Sequence, residues 1–152
     1  MITFFYILRF FHIISAAVWF GAVLLTPGDV RQTLERGRPH VDGLKDRLQK
    51  SVGISLRAGV LTVITGFAII MTSGGFGNVP FRIHLAMGLA ILMLGLGFMM
   101  INPLSDAICD IIDQKSENLD EAKSLATTFG ALSGVNHLLW FITLGLMVIK
   151  SI

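Results

Sequence analysis

Three of the four histidines in this 152-residue sequence stand inside or beside long apolar runs. His12, His84 and His137 each belong to a different run, and neutral imidazole is the commonest protein ligand for transition metals. An ionisable side chain in hydrocarbon costs on the order of 2 to 3 kcal/mol, so each histidine needs a partner or a purpose. Two imidazoles from different helices frequently hold haem iron, which predicts a b-type haem here.

Small residues accompany these histidines at helical spacing. Gly130, Gly134 and Gly145 share a helix face with His137, and Gly88 precedes Gly95 on the face of His84. Such faces leave room for a flat macrocycle, although glycine stripes also pack transmembrane helices together without any cofactor. We expect His12 to be one axial ligand. The depth along the helices favours His137 as the other, with His84 as the alternative.

Two arginines near the same histidines could bind the propionates of a haem. Arg9 precedes His12 by one turn, and Arg82 precedes His84 by two residues. A guanidinium group binds a carboxylate with two parallel hydrogen bonds. The alternative is that these side chains extend to lipid phosphates. We also expect Arg57 to extend to the membrane surface or to pair with an acid of the third loop.

Soft sulfur ligands offer a second metal chemistry. The methionines within the apolar runs could pass Cu(I) along a path, but no repeated Met motif with Cys or His companions is present. The candidates are Met71, Met87, Met93, Met99 and Met100. Cys109, the single cysteine, has no partner for an internal disulfide and is expected to be an ordinary small apolar residue. We expect His40, in a basic loop, to be solvated.

The composition places these residues in a membrane. Hydrophobic residues make up 53% of the chain and charged residues 14%, and the mean hydropathy is +0.74, far above the usual range of soluble domains. We predict an all-α integral membrane four-helix bundle that forms a single domain over residues 1–152. The four helices are expected at about 2–26, 52–72, 82–112 and 119–150. We interpret the first apolar run as a retained helix and not as a secretory signal.

Local signals suggest where these helices begin and end. The pair Pro27 and Gly28 is expected to end the first helix. Apolar residues at helical spacing after Pro103 predict that the third helix continues outside the membrane as an amphipathic extension. Asn118 followed by Glu121 predicts the start of the fourth.

The charges predict an orientation. Eight of the twelve Lys and Arg residues stand in the first and third loops, and the positive-inside rule makes that side cytoplasmic. Both termini should then face outwards. The net charge of +2 is too small to favour nucleic acid, so membrane lipid is the expected partner, with a redox partner or a larger membrane complex as further possibilities.

Three segments resemble known bacterial membrane proteins. The segment LRFFHIISAAVWFGAVLL, with His12, Trp19, Phe20 and Gly21, resembles the first helix shared by the copper-resistance D-type membrane domain and the HemJ-type protoporphyrinogen oxidase. The second and third helices of these proteins are similar to SLRAGVLTVITGFAII and PFRIHLAMGLAILMLG. This sequence has His84 where the oxidases have a lysine, so the resemblance implies a haem-binding bundle in a bacterial inner membrane more than the oxidase activity itself.

These features together predict a membrane b-type haem protein for electron transfer or porphyrin-related redox chemistry. Two other functions are compatible with the same residues. The chain could be a non-catalytic accessory subunit that packs into a larger complex through its glycine faces, or it could transport copper.

Overall fold

The chain folds into long helices connected by short segments. A computed structural model describes residues 2–114 and 118–149, and this part of the chain is helical without any strand. The helices are α1 (Ile2–Arg36), α2 (Leu44–Thr72), α3 (Phe81–Leu96), α4 (Asn102–Asp113) and α5 (Asp120–Val148). Short 3₁₀ helices, His40–Gly43 and Phe76–Asn78, lie in the first two connections. A π-helical turn, Gly97–Ile101, joins α3 to α4 without interruption.

The helix α3, the π turn and α4 form one continuous rod. The described residues therefore form four helical rods that are long and apolar enough to cross a membrane. In the most apolar stretch of 18 residues in each rod, only 11% to 33% of the residues are buried inside the protein. Apolar side chains that the bundle leaves exposed to this extent need lipid around them. The prediction of an all-α four-helix membrane bundle is therefore confirmed.

The bundle has two unlike ends. We call the end at which α1 begins and α5 ends the terminal end, and the opposite end, with the α1–α2 and α4–α5 connections, the loop end. The 35 residues of α1 span about 52 Å at 1.5 Å per residue, well beyond the roughly 30 Å of hydrocarbon. The helices therefore extend out of the membrane at the loop end.

These extensions contain the main buried core of the protein. Val30 of α1, Leu48 of α2, Ile108 of α4 and Phe129 of α5 all belong to one buried apolar cluster. Polar contacts hold the same extensions together: Arg47 pairs with Asp29 at 3.1 Å, and Lys45 pairs with Asp113. Tight packing is therefore concentrated at the loop end, which leaves room for a cavity in the membrane-embedded half.

The predicted end of the first helix at Pro27 is wrong. Pro27 lies inside α1, which continues for nine more residues to Arg36. Proline has no N–H to donate to the carbonyl of Val23. In the same turn, the carbonyl of Ala22 accepts hydrogen bonds from Thr26 and from Ser51 of α2. A neighbouring helix thus provides a polar partner beside the position where proline interrupts the helical hydrogen bonds.

The other helix ends follow from packing against the loop-end core. The second helix begins at Leu44 and not near residue 52, because Leu44 and Leu48 are both buried one turn apart. The predicted amphipathic extension after Pro103 is α4. Asn118 accepts a hydrogen bond of 2.9 Å from the N–H of Asp120, where α5 begins. The predicted end of this helix at residue 150 lies outside the described residues.

Three further side chains lie at or near the loop end. Cys109 is buried in the core of the extensions and His40 is exposed, both as predicted. Arg57 is exposed, and its Nη2 atom lies 4.0 Å from the position that a Cβ on Gly53 would occupy. Its guanidinium group thus extends one turn toward the loop end, as expected for an arginine that reaches for the membrane surface.

Candidate functional site

A cavity of about 500 Å³ lies between α1, α2, α3 and α5 in the terminal half of the bundle. Its walls are mostly apolar and include Phe5, Trp19 and Trp140. The polar side chains that line it are Arg9, His12, Thr62 and Thr143. Binding sites for cofactors and small molecules commonly have roughly 300 to 1,000 Å³ and a few polar groups in apolar walls. This cavity is therefore the candidate site.

His12 is held in a defined orientation by α2. Its Nδ1 atom lies 3.0 Å from the main-chain carbonyl oxygen of Thr62 and 3.1 Å from the hydroxyl oxygen of Thr65. A carbonyl oxygen only accepts hydrogen bonds, so Nδ1 carries the proton. In the neutral imidazole, Nε2 then presents its lone pair, the arrangement that metal-binding histidines adopt when a carbonyl fixes the other nitrogen.

Hydroxyl groups connect α1 to α2 directly beside this histidine. Ser15 donates to the carbonyl of His12 at 3.1 Å, and Thr62 donates to the hydroxyl of Ser15 at 3.0 Å. Ser15 and Thr62 are both buried. These hydrogen bonds fix the main chain of His12, and the bonds of Nδ1 to Thr62 and Thr65 fix its ring. The ring therefore has little freedom to turn.

Gly66 provides the space in which the ring of His12 lies. A Cβ atom at Gly66 would stand 3.1 Å from Cε1 of His12 and 3.4 Å from Cε of Met87. Most other glycines lack such neighbours. Nothing lies within 4 Å of a Cβ built at Gly88, Gly95, Gly130, Gly134 or Gly145. None of these five glycines lines the cavity that contains His12, so the faces predicted beside His84 and His137 do not contribute to it.

Arg9 makes the cavity attractive for an anionic group. It is exposed, lines the cavity and lies over the ring of Phe5 at 5.7 Å. All ten acidic residues of the chain fall between Asp29 and Glu121, away from the first and last membrane-embedded turns. A carboxylate on a ligand would therefore meet a cation without a competing protein acid among the residues that line this cavity.

His137 does not share the cavity with His12. Its ring packs edge to face against Phe20 at 5.8 Å, and its Nε2 is buried without a hydrogen bond among the described residues. Phe20 follows His12 by eight residues, which is about 12 Å along a helix. The two histidines were predicted at similar depth, but the structure places His137 about 12 Å closer to the loop end than His12.

His84 and Arg82 lie beyond the cavity at the terminal end. The Nδ1 of His84 is 3.3 Å from the carbonyl of Pro80, and its ring contacts Phe76 and Phe81. Arg82 donates to the carbonyl of Ile149 in the last turn of the bundle. Neither residue lines the cavity that contains His12 and Arg9. The five predicted site residues thus separate into one pair that shares the cavity and three residues that do not.

The structure adds residues that the sequence analysis did not select. Thr62, Thr65 and Gly66 form the wall against which His12 packs. Their spacing was the available signal, since two hydroxyl residues three positions apart followed by glycine present one small, polar helix face. Among the described residues, no group of three or more His, Cys, Asp and Glu side chains could hold a metal ion, so any metal here needs another ligand source.

Comparisons with protein-family models, curated proteins and solved structures returned no match. The resemblance to the copper-resistance D-type and HemJ-type proteins stays a prediction from the sequence.

Proposed function

We propose that this protein binds haem b, or a related porphyrin, in the terminal cavity with His12 as the iron ligand, and that it serves electron transfer or porphyrin-related redox chemistry. The observation that carries the proposal is the orientation of His12. With Nδ1 hydrogen-bonded to the Thr62 carbonyl, the lone pair of Nε2 is available for a metal. The same bond also joins α1 to α2, and it is the lone pair left on Nε2, in a residue that lines the cavity, that supports ligand binding.

Three other properties of the cavity support the same ligand. Its volume of about 500 Å³ and its apolar walls suit a large, flat, apolar molecule. Gly66 leaves room beside the His12 ring. Arg9 would hold a propionate, since a guanidinium group and a carboxylate form paired hydrogen bonds.

Any second protein ligand to the iron has to come from the residues that line the cavity, and His137 and His84 are not among them. We propose Met87. Its Cε and the Cε1 of His12 both lie within 3.4 Å of the same point beside Gly66, so the thioether and the imidazole are close neighbours. Iron held by histidine and methionine has a higher reduction potential than iron held by two histidines.

A bound haem would supply one-electron redox chemistry. The protein residues would bind and orient it: His12 through its fixed ring, Arg9 through charge, and Trp19 and Trp140 through apolar contact that excludes water. Electrons would reach this site from a redox partner in or at the membrane. We place the protein in a bacterial inner membrane with the loop end, which carries most of the cations, in the cytoplasm.

The visible spectrum of the protein tests this function. Wild-type protein purified from freshly extracted membranes should show a Soret band and, after reduction with dithionite, a sharp α-band. His12→Ala should lose both, because it removes the proposed ligand. His84→Ala and His137→Ala are the matched controls and should keep them, since neither side chain lines the cavity. Absence of any Soret band in the wild type, or its survival in His12→Ala, contradicts the proposal.

Copper is the second candidate, and one observation favours it. Met87, Met93 and Met147 line the same cavity as His12, so three thioethers and an imidazole border one space. Cu(I) prefers such soft ligands. The other methionines do not extend this set into a path, because Met71, Met99 and Met100 are exposed on the outside of the bundle. Copper that co-purifies with the protein in place of haem, and that is lost in Met87→Leu, would establish this alternative.

A further inference from the structure

A second, smaller pocket lies next to the cavity, on its loop-end side. It has a volume of about 20 Å³ and is formed by α1, α2, α5 and the rod of α3. Trp19 and Met93 line both spaces and so form the partition between them. A Cβ at Gly59 would stand 2.9 Å from the indole of Trp19, so this ring is packed tightly against α2. The small pocket is therefore a separate site.

Two polar side chains of α5 line this pocket without a hydrogen-bond partner. Ser133 is 0% exposed and Asn136 is 6% exposed. The hydroxyl oxygen of Ser133 and the side-chain carbonyl oxygen of Asn136 are both buried and make no hydrogen bond among the described residues. Buried polar atoms are nearly always hydrogen-bonded, because an unmade bond costs most of the desolvation penalty of the group.

Further hydroxyl groups line the same pocket from the other side. Ser51 and Ser55 belong to α2, and Thr26 belongs to α1. Thr26 and Ser51 each donate their single hydroxyl proton to the carbonyl of Ala22. The donor capacity of these two residues is thus already used, and they cannot pair directly with Asn136.

We infer that this pocket binds one water molecule, which hydrogen-bonds Ser133 and Asn136 of α5 and connects them to the hydroxyl side of the pocket. A buried water needs about 10 to 15 Å³ of accessible space and two to four polar partners, and this pocket offers both. The water accepts from Ser133 and donates to Asn136, which satisfies the two unpartnered atoms. The inference does not depend on what the larger cavity binds.

A cation fits the same pocket less well. Its lining oxygens all belong to neutral hydroxyl and amide groups, and none of the lining residues is acidic. A bare ion transferred from water to such a place would lose its hydration without gaining an opposite charge. Water carries no such penalty, so the pocket favours it.

Whether two substitutions lower or raise the melting temperature tests the inference. If water is bound, Ser133→Ala and Asn136→Leu each remove one of its partners, and each should lower the melting temperature in detergent by about 2–4 °C. If the pocket is dry, the same substitutions remove an unsatisfied polar atom and should raise the melting temperature. Thr143→Val is the matched control. Among the described residues its hydroxyl donates only to the Leu139 carbonyl of its own helix, at 2.8 Å, so a smaller shift is expected.

A second measurement covers the case in which Asn136→Leu does not fold. Density for a single atom within hydrogen-bonding distance of Ser133 and Asn136 in a high-resolution structure of the wild type supports the inference, and an empty pocket overturns it. The melting temperature is also compared in sodium chloride and choline chloride. A rise specific to sodium would identify a cation site and overturn the inference, whereas equal values agree with water.

Discussion

At the scale of single residues, one histidine differs from the other two because of what surrounds its ring. His12 has both a fixed proton on Nδ1 and a cavity beside it. His137 packs against Phe20, and His84 packs between Phe76 and Phe81. All three are histidines in apolar helices, so the residue type did not distinguish them, and depth along the helices favoured His137, which does not line the cavity. The hydrogen-bond partner and the neighbouring space do.

Gly66 gives a prediction at this scale. Gly66→Ala puts a methyl group 3.1 Å from the His12 ring, in a place where the ring cannot move without losing its hydrogen bonds to Thr62 and Thr65. We expect the proposed binding of haem to weaken by about tenfold, a loss of about 1.4 kcal/mol. The affinity is measured by titrating the protein with haem and monitoring the Soret band. Gly88→Ala is the control, because its methyl group would meet nothing within 4 Å; equal affinities for both variants would show that Gly66 does not shape the site.

At the scale of helices, close approach is confined to a few positions. Gly59 of α2 lies against Trp19 of α1 and Leu94 of α3, so three helices meet at one glycine. The sequence contains sixteen glycines and gives no direct sign of which ones contact a neighbour. The contact depends on how each helix is rotated about its axis, and this rotation is set by the packing of the whole bundle.

Gly59 and Gly95 provide a matched pair for this point. Gly59→Ala would place a Cβ 2.9 Å from Trp19 and 3.0 Å from Leu94, and we expect it to destabilise the bundle by about 1–3 kcal/mol. Gly95→Ala has open space around its Cβ and should be neutral or slightly stabilising, because alanine favours the helix by roughly 0.5–1 kcal/mol. The free energy of unfolding of both variants is measured in detergent. A similar loss in both variants would contradict the close contact at Gly59.

At the scale of the whole molecule, stability and the candidate site lie in different halves. The largest buried cluster lies in the extensions at the loop end, whereas the cavity lies in the terminal half within the apolar spans. A packed core outside the membrane can hold the helices together while their other ends remain far enough apart to admit a ligand. Lipid then covers the exposed apolar faces.

This division predicts where truncation of a side chain is costly. Ile108 is 0% exposed in the loop-end core, and Ile108→Ala should cost about 2–5 kcal/mol of unfolding free energy. Leu138 is 62% exposed on the outer face of α5, and Leu138→Ala should change stability by less than about 0.5 kcal/mol. Denaturant titration in mixed micelles compares them. Equal losses would mean that the loop-end core is not the main source of stability.

The orientation in the membrane gives a further prediction at this scale. In a Cys109→Ala background, Asn78→Cys places a thiol in the α2–α3 connection and His40→Cys places one in the α1–α2 connection, and both positions are exposed. With the basic loop end in the cytoplasm, a membrane-impermeant maleimide should label Asn78→Cys in intact cells and His40→Cys only after permeabilisation. The reverse pattern would invert the proposed orientation.

The sequence alone determined that the chain is a bundle of four membrane helices, because long apolar runs have one stable solution in lipid and their lengths are read directly from the residues. It also selected His12 and Arg9, which do share the cavity. It could not exclude His84 and His137, or show that α1 continues through Pro27, because both depend on contacts between helices distant in the chain. Only the tertiary structure decided which face of each helix meets which neighbour, since side-chain partners, and the space left between them, exist only after the helices have packed.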